Sequence, residues 1–127
     1  MAEGFARKLA GDAIEVHSAG LLAAGVHRRA IAVMQEVGID ISGQRSQVID
    51  PDLLSKMDVV ITLCDHAEES CPWTPPSIRR YHWPIKDPVG TTGPEKTIMK
   101  EFRRARDEIR SKIQTFIADM DRGKPKR

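Results

Sequence analysis

The chain has 127 residues, 40% of them hydrophobic and 30% charged, which describes one globular domain of ordinary size and leaves little room for two. Its longest apolar run, Val59 to Leu63, is too short to cross a bilayer and no signal-peptide pattern opens the chain, so a membrane protein and a Sec-exported protein are both disfavoured. Twenty Lys plus Arg nearly balance 18 Asp plus Glu, against a nucleic-acid protein, and two cysteines with four scattered histidines are too few for a disulfide scaffold or a structural zinc site, which fits a reducing, cytoplasmic compartment.

Ala2, Phe5, Ala6 and Leu9 recur at helical spacing before Gly11, predicting a short opening helix. Ile14, Val16 and His17-Ser18-Ala19-Gly20 read as a strand ending in a small-residue turn. Val26, Ala30, Met34 and Val37 share one helical face that Gly38 terminates, and Ile39 to Asp50 carries no period and reads as loop. Asp50-Pro51 then has the form of an N-cap followed by proline at the first helical position, opening a brief helix that ends near Lys56.

Asp58-Val-Val-Ile-Thr-Leu-Cys64 is the strongest strand signal, apolar enough to be a buried parallel strand. With the Ile14 strand before it and helices between, it predicts a βαβ crossover and an α/β fold. Cysteine ends the run, where strands of parallel sheets face a ligand crevice. Three prolines between Cys71 and Pro76 make an irregular connection, Arg80 to Pro84 suits a short edge strand, and Asp87-Pro-Val-Gly90 turns. The last helix carries Ile98, Phe102, Ala105, Ile109, Ile113, Phe116 and Ile117 on one face and ends before Gly123. From Glu95 onward, 11 basic residues face 6 acidic ones, either a solvated helix face or a docking patch for an acidic partner.

Cys64 and Cys71 form a Cys-x6-Cys pair, readable either as small apolar filler or as a redox couple whose intervening turn unwinds when the sulfurs bond. Asp87 is either turn chemistry or a general acid at a crevice rim. His17, His27, His66 and His82 read as structural.

Taken in order, Met1-Ala-Glu-Gly4, His17-Ser-Ala-Gly20, Glu36-Val-Gly-Ile-Asp-Ile-Ser42, Asp58 to Cys64, Cys71-Pro72, His82-Trp83 and Asp87-Pro-Val-Gly90 closely resemble the thioredoxin-coupled arsenate reductases, which share the low-molecular-weight protein tyrosine phosphatase fold. The resemblance covers essentially the whole chain in one register. It implies a parallel-sheet three-layer α/β sandwich in a single domain, residues 1–127. It also implies a three-thiol relay. A first cysteine, on a Cys-x5-Arg loop, attacks arsenate while an aspartate matched by Asp87 protonates the leaving oxygen. A second, matched by Cys64, attacks the first and releases arsenite; a third, matched by Cys71, takes over the disulfide, which thioredoxin reduces.

No Cys-x5-Arg occurs in these 127 residues, since Ser70 and Ser77 stand where the arginine would follow Cys64 and Cys71. In the resembled family that loop and a central strand directly precede the Met-Ala-Glu-Gly segment, so the expectation is a shortened domain without turnover. The gap this leaves in the sheet is expected to close by direct pairing of the Ile14 strand with the Val59 strand or by a second copy in a homodimer through exposed strand edges, unless the chain is a shortened form of a longer product. Two alternatives stand beside it: a non-catalytic dithiol redox or arsenite-binding module, and a phosphatase-like protein acting on phosphotyrosine. Some relatives of the family hold potassium through a glutamate, a serine and a Thr-Ser-Asp segment. Glu3 and Ser18 match, but Arg45-Ser46-Gln47 replaces the segment, so no bound potassium and no cofactor is expected.

Overall fold

The computed structural model describes residues 1–19, 27–44, 47–63, 69 and 74–123, with the backbone alone at 12 and 121–123. It has two compact units: residues 1–17, 26–44 and 88–127 make one, and 18–25 with 45–87 the other.

The first unit is helical. Helix α1 (Ala2–Ala10) buries Gly4, Phe5 and Ala6 and stops at Gly11, whose φ of 58° suits glycine. Helix α2 (Arg28–Gln35) opens on His27, whose Nδ1 accepts from the Arg29 N–H at 3.1 Å, while its ring packs 5.0 Å from Phe102. That partnership bears out the structural reading of His27. Gly38, with φ of 80°, follows the helix as expected. The long carboxyl-terminal helix, α4, spans Glu95–Gly123, and its 3.6-residue period seats Phe102, Ala105, Ile109 and Ile113 in the core against α1 and α2. It runs through Gly123 instead of ending before it.

Three departures belong to this unit. Leu9 was placed on the apolar face of α1 but is 39% exposed. Ile41, in the segment without period, is fully buried, because Gly4 has no side chain and lets the Ile39 and Ile41 methyls rest on α1. The expected strand at Ile14 is extended, with φ −137° and ψ 153° at Ile14 and with Ile14 and Val16 half-buried between exposed neighbours, yet it joins no ladder among the described residues. Alternation shapes such a segment, but a strand also needs a partner in register.

The second unit holds the sheet. Helix α3 (Pro51–Leu54) begins as predicted, with Asp50 Oδ1 accepting from the Asp52 N–H at 3.0 Å. Strand β1 (Val59–Thr62) pairs in parallel with β2 (Arg79–His82), Val59 opposite Arg79 and Thr62 opposite His82. The parallel crossover therefore joins β1 to β2 through residues 63–78, and the predicted crossover from an Ile14 strand into β1 is not formed among the described residues. Val60 and Thr62 are buried and Val59 and Ile61 half-buried, so β1 is less enclosed than its composition suggested. The mixture of helices with a parallel sheet is an α/β fold, as expected.

Candidate active site at the carboxyl edge of the parallel pair

The ladder does not end with the strands. Beyond His82, the Trp83 N–H donates to the Thr62 carbonyl and the Ile85 N–H to the Leu63 carbonyl, each at 2.9 Å. Leu63 directly precedes Cys64, and Ile85 lies two residues before Asp87. One hydrogen bond thus fastens the chain entering the Cys-x6-Cys segment to the chain entering Asp-Pro, at the edge where parallel strands present chemistry. Asp87 itself is exposed, and Pro88 after it is buried at the start of a 3-10 turn, Pro88–Gly90.

Cys64 and Cys71, the turn expected between Asp65 and Ser70, and His66 lie outside the described residues, Glu69 excepted. Both cysteines belong by sequence to the crossover, residues 63–78, whose described return has the Ile78 N–H donating to the Pro75 carbonyl at 3.0 Å. The structural reading of His82 agrees with its place in the strand pair. Its Nδ1 lies 2.9 Å from Oγ1 of Thr62, a contact that only the strand register reveals.

In the first unit, an open pocket of about 680 Å³ is lined by Arg7, Gly11, Ala13, Ile14, Glu15, Val16 and His17. Its charges already answer one another. Arg7 donates to Glu3 at 2.8 Å and to the Val16 carbonyl at 2.7 Å, and Glu15 lies 2.5 Å from His17 Nε2. Of the residues weighed for potassium, Glu3 is therefore ion-paired, Ser18 and Gln47 are exposed, and Arg45 and Ser46 lie outside the described residues. Among the described residues no three His, Cys, Asp or Glu side chains converge as metal ligands, and no helix is long and apolar enough to cross a membrane.

The decisive comparison is with families of known proteins. The model for low molecular weight phosphotyrosine protein phosphatase matches residues 1–126. The chain belongs to that family. The arsenate reductase of Bacillus licheniformis is 48% identical over 116 residues, covering 91% of this chain and 84% of that protein. A solved arsenate reductase in the phosphate-binding state is 37% identical, with a TM-score of 0.74 over 93% of this chain and 86% of the other. The thioredoxin-dependent arsenate reductase of Corynebacterium glutamicum is 27% identical, with a TM-score of 0.59 over 90% of this chain and 54% of the other. The fold is accordingly the α/β fold of the low molecular weight phosphatases.

Proposed function

We propose that this chain is an arsenate reductase-type protein, a single domain over residues 1–127, whose Cys64 and Cys71 carry the disulfide-relay half of the reaction. The observation that carries the reading is its likeness to arsenate reductases over nine-tenths of its length. In the relay, Cys64 thiolate attacks a sulfur already bonded to As(V). The S–As electron pair leaves with arsenic, giving arsenite, and the two sulfurs join. Cys71 thiolate then attacks Cys64, displacing the first thiolate, and a thioredoxin dithiol reduces the Cys64–Cys71 disulfide by the same exchange. Asp87 is the acid that protonates the oxygen leaving arsenate when the first S–As bond forms. The Ile85–Leu63 bond supports this assignment by tying the two chain segments together. The reaction runs in a reducing cytoplasm and needs no cofactor or bound potassium, and the protein self-associates through strand edges.

The first sulfur and its anion-binding loop are what a polypeptide of these 127 residues does not contain, because it has no Cys-x5-Arg. Backbone amides and an arginine cradling the oxyanion are the largest part of such catalysis, and two further thiols do not replace them. The test is arsenate-dependent NADPH oxidation coupled through thioredoxin and its reductase. The 127-residue polypeptide is expected to show none. The same polypeptide extended at its amino end by a strand and a Cys-x5-Arg loop is expected to turn over, to lose turnover with Cys64→Ser or Cys71→Ser, and to slow by about 10²- to 10⁴-fold with Asp87→Asn. Turnover by the unextended polypeptide, or an extended one indifferent to Cys64→Ser, overturns the reading.

A further inference from the structure

The carboxyl edge holds a side-chain bond that the relay does not itself consume. Thr62 is the last residue of β1 and His82, its register partner, the last of β2. Thr62 is only 6% exposed. Its Oγ1 lies 2.9 Å from His82 Nδ1 and 3.4 Å from the Tyr81 carbonyl oxygen, while its own carbonyl accepts from Trp83. A threonine hydroxyl donates one proton and accepts at its lone pairs. With Nδ1 bare, the hydroxyl donates to the ring; with Nδ1 protonated, the ring donates and the hydroxyl turns toward the Tyr81 carbonyl. The contact persists in either tautomer.

Thr62 stands two residues before Cys64, and the chain leaving His82 runs through Ile85 to Asp87. Resting on the proposed relay, we infer that Thr62 and His82 are positioning residues, a side-chain clamp that holds the departure point of the thiol segment against the segment bearing Asp87. Backbone bonds of a parallel ladder are evenly spaced and slanted, and a two-stranded ladder has few of them. The part-buried hydroxyl–imidazole bond adds a side-chain fixed point at the end of that ladder from which the thiol segment departs.

The experiment uses the 127-residue polypeptide and diamide, a diazene oxidant. The two thiols give up two protons and two electrons, an S–S bond forms, and the diazene becomes the hydrazine. The rate is followed by free-thiol titration and the product assigned by peptide mapping of the Cys64–Cys71 bridge, with melting temperatures measured alongside. Thr62→Val and His82→Phe are expected to slow bridge formation by about fivefold, the worth of one hydrogen bond of ordinary net strength, with Thr62→Ser restoring it to within about twofold. Val60→Ala, which loosens β1 without touching the pair, is expected to lower the melting temperature and leave the rate near wild type. Wild-type rates in both clamp variants, or equal slowing by Val60→Ala, overturn the clamp alone. Failure of the wild-type protein to form the bridge overturns the relay and the clamp with it.

Discussion

A single missing methyl group decides how α1 meets the segment after α2. A Cβ built on Gly4 would stand 2.8 Å from Ile41 Cγ2 and 3.2 Å from both Ile39 Cγ2 and Met34 Cε. The Ile41 branch methyl sits on a fully buried side chain and cannot swing away, so Gly4→Ala is expected to destabilise the protein by about 1 to 3 kcal/mol through overpacking. Urea unfolding measures it, and Ile41→Leu, which removes the branch at Cβ, should recover part of the loss in the double variant. An additive double variant would place the strain elsewhere. Nothing in the sequence around Ile41 foretold its burial: the segment has no period, and the residue is in the core because a glycine 37 positions earlier leaves the space. The Thr62–His82 contact was hidden for the same reason, since its partners meet only through strand register. Asp50 before Pro51, by contrast, was legible, because a cap and its helix lie within three residues.

At the scale of elements, the basic charge of α4 reads in sequence as a solvated face or a docking patch, and part of it is neither. Arg103 forks onto Glu36 at 2.8 Å, and Arg106, 9% exposed, reaches both Glu36 at 2.7 Å and the Val33 carbonyl at 3.0 Å, so the turn ending α2 is tied to α4. The tie was illegible because its partners stand about 70 residues apart, whereas the apolar face of α4 was legible from its own repeat. The arginine bonds, Arg103 first, hold the Glu36 carboxyl at about 2 instead of the usual 4.5. A carboxylate lowered in this way stabilises the fold in full above the ordinary value and loses that contribution as pH falls through the folded value. Glu36→Gln should therefore lower the melting temperature at pH 7, and the difference from wild type should shrink from about pH 4.5 downward, closing near pH 2. A difference that stays constant between pH 7 and pH 3 would show that Glu36 acts by packing and not by charge. Added salt should also narrow the gap at pH 7, since Arg103 is partly exposed.

For the molecule as a whole, the helical framework and the two strands β1 and β2 were foreseeable, yet their pairing was not, because alternation marks which face of a segment is apolar and carries no information about which neighbour completes its ladder. Two edges show it. Beside β1 only β2 is paired among the described residues, and the extended Ile14 segment joins no ladder there. Strand edges recruit further chain, and a second copy is always at hand. The self-association proposed above then has a specific test. Ile14 already occupies the extended region that a following proline demands, so Glu15→Pro spares Ile14 while removing one amide donor from the segment. Sedimentation velocity over a wide concentration range is expected to show association by the wild-type polypeptide, retained in Glu15→Ala and weakened in Glu15→Pro. Association equal in both variants would move the contact to another edge, and a wild-type chain that stays monomeric throughout would mean that these edges are satisfied within one molecule.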